Sequence, residues 1–401
     1  MSVPRPSVRA AVADREAPFS VLDLDAALAN TADLVRRASG TPVRLATKSV
    51  RIRPLISRLL ECEGIEGLLA YHLGEALWLV DEQVSYDILV AYPCVTPSLL
   101  RQLTADSRYL DAVTVMVDSV EHLDLLDAAS PPEDRVGLVR VCLDVDASLA
   151  VGPLHLGARR SPVHTVEDAT RLAGQICARP GVELVGIMAY EGQVAGTTDT
   201  SPAVAAMKAA SVKELAGRRA KIVAAVRTVV EARGGQLEFV NGGGTGSAET
   251  TSVEDAVTEI GAGSGIIGSG LFDHYRTFSP AAAEWFVLPV VRRAATDIVT
   301  VAGGGRIASG VPGADRVPVV DFPTGLSFSA TEGAGEVQTP LRGTAARDLG
   351  LGDHVWFRHA KAGEQAEWTD KVTVVSRDPA DNTTHVIADW PTYRGEGKVF
   401  V

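Results

Sequence analysis

Cysteine is scarce in this chain, with four among 401 residues, at positions 62, 94, 142 and 177. None is spaced as a CxxC pair, so the sequence offers neither a disulfide framework nor a thiolate zinc motif. Reduced thiols in apolar surroundings, as in a cytoplasmic protein, are the expectation. Long hydrophobic runs are missing as well. No stretch approaches the roughly 20 apolar residues of a bilayer span, and residues 1–18 mix Pro, Arg and Ala without the apolar centre of an export signal. Neither membrane insertion nor export is expected. Basic clusters are absent too: 38 Lys and Arg against 50 Asp and Glu leave a formal charge of -12, which argues against nucleic acid or an anionic membrane surface as partner. Small-molecule chemistry is favoured.

What is present is the composition of an ordinary folded protein, 46% hydrophobic and 22% charged, in a chain too long for one core. Short β-rich runs alternate with helical spacing, which signals β/α units around a parallel sheet. Eight runs stand out, at residues 43–47, 67–71, 87–92, 112–117, 136–143, 184–190, 237–241 and 257–260. Helical spacing fills residues 50–62, 97–104, 120–128, 166–178 and 203–232. Eight such units suit a (β/α)8 barrel better than an open doubly wound sheet. The fold class is therefore α/β, with the barrel over residues 18–285. From about Pro289 strand-like runs separated by Gly, Asp and Pro turns take over. These predict a smaller β-rich domain over residues 286–401, joined by residues 1–17, which precede the first barrel element.

Lys48 ends the first predicted strand, and in such barrels catalytic side chains project from the C-terminal strand ends. A solvated rim lysine explains the position equally well until other features are added. Two glycine-rich segments supply them. Asn241-Gly242-Gly243-Gly244-Thr245-Gly246-Ser247 follows the seventh strand, and Gly261-Ala262-Gly263-Ser264-Gly265 follows the eighth. Runs of this kind expose backbone N–H groups to an anion, and the loops after strands seven and eight are where barrels commonly bind phosphate. A strand-end lysine opposite a phosphate site fits a phosphorylated aldehyde cofactor.

Leu45-Ala46-Thr47-Lys48-Ser49, Ala189-Tyr190-Glu191-Gly192 and Gly242-Gly243-Gly244-Thr245-Gly246-Ser247 resemble the fold-type III pyridoxal-phosphate enzymes. Within the alanine racemase superfamily the D-threonine aldolase and D-serine dehydratase group is the nearest likeness, extended by residues 18–25 and 87–93. The resemblance implies a barrel plus β domain, a homodimer with active sites near the subunit interface, and pyridoxal 5'-phosphate held as a Schiff base on Lys48. It also implies a cofactor role for Arg160, in a stretch where Pro162 replaces a usual glycine and Arg159 competes for the assignment, and for Tyr190 at the end of strand six. Gly242, Gly243, Gly244, Thr245, Gly263 and Ser264 become the phosphate ligands. The arginine that alanine racemases place near the eighth strand is absent from Glu259-Ile260-Gly261-Ala262-Gly263, which leaves the partner of the pyridine nitrogen open.

In that group a His, one residue, then Asp or Cys binds a divalent metal; here the stretch reads His359-Ala360-Lys361. Three readings stand: Lys361 replaces the metal's charge and serves as acid or base, Glu364 completes a rearranged metal site with His359, or the segment is a solvated loop. Strand alternation would set His359 and Lys361 on one side. The expected activity is a lyase on a β-hydroxy amino acid, of D configuration, by retro-aldol cleavage or by dehydration and deamination. A racemase, a non-enzymatic pyridoxal-phosphate carrier and a cofactor-free sugar-phosphate barrel enzyme are the rivals. No motif around Tyr393 supplies the second base of a racemase.

Overall fold

The computed structural model describes residues 3–198 and 201–400, arranged in two compact units. One holds residues 34–48 and 56–263 together with Phe400; the other holds the segment up to Asp33, Ser49–Leu55 and Ser264–Val399.

The first unit is a closed barrel of eight parallel strands: β1 (Val43–Ala46), β2 (Ile65–Ala70), β3 (Ile88–Val90), β4 (Val113–Val117), β5 (Val139–Asp144), β6 (Val182–Ala189), β7 (Phe239–Gly242) and β8 (Glu259–Ala262). Each overlaps one of the eight runs read from the sequence. Helices Pro97–Thr104, Val120–Ala129, Val166–Cys177 and Pro202–Glu231 fall where the apolar spacing puts them. The run at 136–143 begins later than expected, because Val136 and Leu138 are more than half exposed and only Val139 joins the ladder. A short hairpin, Leu149–Val151 with Leu154–Leu156, has no counterpart in the sequence reading; three-residue strands are too brief to show a period.

Closure occurs between β8 and β1, in the register Ile260↔Val43 and Ala262↔Leu45. Arg44, 4% exposed, spans this seam. Its Nε and Nη2 donate to Glu259 at 2.7 and 2.8 Å, and its Nη1 donates to Asp87 at 2.7 Å. Asn241 on β7 donates to the same Glu259 at 2.8 Å. Burial opposes the charge of Arg44, but Glu259 and Asp87 hold its pKa above the ordinary arginine value.

In the second unit the N-terminal strand Phe19–Asp23 runs antiparallel to Glu284–Ala295 and parallel to Lys371–Arg377. Glu284–Ala295 also pairs with His354–Arg358 and Ile298–Ala302. Its two faces differ. Phe286, Leu288 and Val290 enter one core with Phe357, while Trp285 and Val287 enter another with Trp356 and Val21. This twelve-residue strand is missing from the sequence reading because Pro289, which usually demotes a strand, lies inside it. Among the described residues no helix is long and apolar enough to cross a membrane.

Removing Glu259 leaves Arg44 charged and buried with only Asp87 beside it. Glu259→Ala is expected to lower unfolding stability by about 3–5 kcal/mol, read as a fall in denaturant midpoint. A loss below about 1 kcal/mol would mean that the seam does not depend on this pair.

Candidate active site

Because all eight strands run parallel, their C-terminal ends share one rim. Around it follow Tyr190 after β6, the glycine loop after β7, Gly263 after β8, Lys48 after β1 and Tyr92 after β3. The barrel thus gathers the sequence candidates Lys48, Tyr190, Gly242, Gly243, Gly244, Thr245 and Gly263 on the same edge. Ser264 opens the short helix Ser264–Ile267 that clusters with the second unit.

Lys48 lies in a 3-10 turn, Thr47–Ser49, with an exposed side chain whose Nζ donates to Tyr92 Oη at 3.2 Å. Arg160 stands on the other flank of that ring, its guanidinium carbon 5.7 Å from the centroid. Burial works to raise the Tyr92 phenol, but Lys48 and then Arg160 outweigh it and hold its pKa below the usual tyrosine value. Arg159 is exposed, has φ +33° and donates its N–H to Ser148, so of the two arginines only Arg160 meets Tyr92. Tyr92 was overlooked as a site residue, although it follows a barrel strand just as Lys48 does. Asp144 was overlooked for the same reason. It ends β5, and its carboxyl is raised to about 7 by burial first and then by Asp118, against the pull of Arg160.

The glycine loop is organised by Glu191, the residue after Tyr190, which is 2% exposed. Its carboxylate accepts Gly243 N at 3.1 Å and Ser247 Oγ at 2.9 Å, and Thr251 Oγ1 as well. Arg219, on the long helix Pro202–Glu231, balances the charge at 2.8 Å and also binds Glu254 at 2.7 Å. The Gly243 amide is therefore already engaged, which narrows the expected phosphate cradle. From outside, Arg37 Nη2 donates to Thr245 O at 2.6 Å. Glycine is required sterically at two positions here. Gly243 has φ +79°, and a Cβ on Gly244 would lie 2.7 Å from Ala195 Cβ and 3.3 Å from the Tyr190 ring. Gly263 presses likewise on β1, where a Cβ would meet the Ala46 carbonyl oxygen at 2.7 Å. Tyr190 keeps 38% of its surface open to the mouth; its surroundings, then Glu191 and Tyr92, push its phenol above the usual value. A backbone shaped to admit no side chain, next to a strand-end lysine, fits a phosphorylated aldehyde.

In the second unit, the strand His354–Arg358 ends before His359, so the expected alternation does not extend to Lys361. Instead the His359 ring folds onto its own turn, with Nδ1 2.8 Å from Lys361 O and 3.1 Å from Lys361 N. Its Nε2 is buried without a hydrogen-bond partner. Burial, together with Arg306, lowers the imidazole pKa despite Lys361 O and Glu364. Lys361 Nζ donates to Ser309 Oγ at 3.0 Å and lies 3.8 Å from Glu364 Oε1, while Glu364 accepts Ser309 N at 2.8 Å. With Glu364 so engaged and Arg306 acting on the imidazole, His359 and Glu364 do not fit a divalent cation. Among the described residues the one grouping of three metal-capable side chains is Asp378, Asp381 and His385, on a surface turn elsewhere.

The profile of the alanine racemase N-terminal domain matches residues 22–270. A D-threonine aldolase of Arthrobacter sp is 26% identical over 290 residues, 72% of this chain and 70% of that protein. A 3-hydroxy-D-aspartate aldolase of Paracoccus denitrificans (strain Pd 1222) is 28% identical over 261 residues, 62% of this chain and 59% of its own length. Among solved structures, D-threonine aldolase from Filomicrobium marinum superposes with a TM-score of 0.75 at 20% identity, covering 96% of each chain. D-threo-3-hydroxyaspartate dehydratase from Delftia sp. HT23 gives 0.69 at 21% identity, covering 95% of this chain and 98% of its own. At such identities the structures speak for the fold.

The raised Asp144 carboxyl has a consequence for pH. Its folded form holds a proton more tightly than the unfolded chain, whose value is about 3.9. That contribution to stability is complete below the unfolded value and lost as pH rises through about 7. Asp144→Asn removes the loss, so the stability of the variant relative to wild type should increase from pH 4 to pH 8 in denaturant titrations. A difference that stays flat with pH would contradict the raised value.

Proposed function

Since the chain belongs to the family of the alanine racemase N-terminal domain, we propose that it is a pyridoxal-phosphate-dependent lyase of β-hydroxy amino acids of D configuration. A cytoplasmic homodimer belongs to the same proposal. The observation that carries it is the rim arrangement: Lys48 follows the strand against which Gly263 is packed, with the Gly242–Thr245 loop on the next strand but one. Both aldolases reported above are named for the cleavage of such substrates.

Lys48 would hold the cofactor, the amides of Gly244, Thr245 and Gly263 would face its phosphate with Ser264 as a further donor, and Arg160 and Tyr190 would flank it. Bound there, the cofactor supplies an electron sink for the pair released when a bond to the substrate Cα breaks. The protein's own groups decide which bond that is. For dehydration, Lys48 as a free amine takes the proton from Cα, with Tyr92 Oη 3.2 Å away to exchange it. For retro-aldol cleavage, a base takes the β-hydroxyl proton, and His359 Nε2 is the candidate. If Nδ1 donates to Lys361 O, Nε2 keeps its lone pair. Lys361, tied to Ser309 and Glu364, would act from beside it rather than as the proton carrier. A racemase reading loses support because Tyr393 is 1% exposed and its backbone is fixed against Arg51.

Borohydride reduction of the cofactor-loaded protein, followed by peptide mapping, is expected to find the pyridoxyl label on Lys48. Label on another lysine would displace that residue, and a protein with no visible absorbance after adding cofactor would end the proposal. The metal reading separates by chelation. Turnover of D-threonine should survive prolonged dialysis against a chelator and fall at least about tenfold in His359→Ala. Activity abolished by the chelator and restored by a divalent ion would reinstate the metal.

A further inference from the structure

The second unit contains a polar site that the proposed chemistry does not use. The row Glu284, Phe286, Leu288 alternates onto one face of its strand, and the three are 3%, 0% and 2% exposed. Phe286 faces Phe357 across the ladder, with the rings stacked at 5.1 Å, and Ser20 faces Phe286 from the other side. Two residues further out, Glu284 stands level with His359, the first residue past its strand. An apolar row thus ends in a buried acid and a buried imidazole.

Arg306 reaches the same place from a different element. The strand Ile298–Ala302 leaves through Gly303 and Gly304, with φ +86° and +123°. This turn carries Arg306 back over the sheet, its guanidinium carbon 4.3 Å from the Phe286 centroid. Four buried polar atoms here have no hydrogen-bond partner: Glu284 Oε1, Arg306 Nη1, His359 Nε2 and Gln365 Oε1. Gln365 is fixed from its other end, where Nε2 donates to Ser20 Oγ at 2.8 Å.

The arginine is the telling member. The chain neutralises its most deeply buried arginines with two carboxylates each: Arg44 with Glu259 and Asp87, Arg219 with Glu191 and Glu254, Arg358 with Asp273 and Asp321. Among the described residues no ion pair joins Arg306 to a carboxylate. A planar fork of donors, stacked on an aromatic face and lacking an acceptor, is the usual receptor for a carboxylate.

We propose that Arg306 binds the distal carboxylate of a dicarboxylic β-hydroxy amino acid, with Gln365 and Glu284 completing the polar site beside His359. This rests on the lyase reading, in which His359 meets the β-hydroxyl. A carboxylate on the same carbon as that hydroxyl then falls to the neighbour of His359. The substrate class becomes 3-hydroxyaspartate rather than threonine, two molecules that differ at Cβ by a carboxylate in place of a methyl.

The test compares D-3-hydroxyaspartate with D-threonine on the full-length, cofactor-loaded protein. Wild type should favour the dicarboxylate in kcat/KM by about 10- to 100-fold, the range of a charged hydrogen-bonded contact. Arg306→Met should reduce that ratio to within about threefold, mainly through KM, and Arg306→Lys should restore part of it. Cofactor absorbance and thermal midpoint serve as controls, since a merely structural role would move those and not the ratio. No preference in wild type, or a preference that survives in Arg306→Met, overturns the inference while leaving the lyase reading intact. If neither amino acid is turned over, the lyase reading fails and succinate decides the site. A thermal midpoint raised by millimolar succinate in wild type and not in Arg306→Met supports carboxylate binding, and no shift in wild type shows a cluster filled only by water.

Discussion

The seam where β8 meets β1 is the constraint on which the candidate site depends. Eight parallel strands can share a rim only if the last returns to the first, and here the return is fixed by side chains as well as by the backbone ladder. Arg44 reaches Glu259 across the seam and Asp87 beside it, while Asn241 draws β7 to the same carboxylate. At the other end of the seam Gly263 packs so closely on Ala46 that a side chain would meet a carbonyl oxygen. Lys48 lies two residues beyond that contact. The lysine and the second glycine segment are therefore neighbours because the barrel closes, although more than 210 residues separate them in the chain.

A second buried carboxylate governs the rim itself. Glu191 takes the Gly243 amide and the Ser247 and Thr251 hydroxyls, all groups that a glycine-rich loop could otherwise offer to an anion. A loop with several positive-φ options gains one conformation in this way. The cost of burying the carboxylate is offset by Arg219, whose own charge is shared with Glu254. Donors later in the loop, at Gly244 and Thr245, are positioned as a result without being consumed, and Tyr190 is carried into the same assembly by the peptide bond to Glu191.

Much of this was legible in the sequence because it is local. Alternating β-rich and helical segments reveal eight strands without reference to distant contacts, and a lysine or glycine run at a strand end inherits its place from the barrel. Tyr92 and Asp144 were within reach of that rule and simply follow less distinctive strands. What could not be read depends on partners far apart in the chain. Glu191 is one letter after Tyr190 in a recognisable stretch, yet its role is set by Arg219 and by loop residues more than 50 positions later. The strand Glu284–Ala295 is hidden by Pro289, which pairs with His354 at an unbroken ladder position. The spacing of His359 and Lys361 suggested a shared strand face, but the strand stops one residue earlier and a turn decides their orientation.

The two units treat buried charge differently, and the difference bears on how this chain departs from its relatives. In the barrel every deeply buried arginine is compensated internally, so those charges stabilise geometry and can bind nothing further. In the β unit Arg358 follows the same rule, held by Asp273 and Asp321, while Arg306 does not. Burial lowers the Arg306 pKa to about 10, with Glu284 only partly offsetting it. Glu284 is in turn raised to about 8 by burial against the pull of Arg306, so neither group fully satisfies the other. Leaving a guanidinium in that state destabilises the unit unless an anion joins it. A lysine in place of the usual metal-binding residue, already neutralised by Glu364, adds no free charge of its own. The cation available beside His359 is therefore Arg306, from a segment that no motif in the sequence marks.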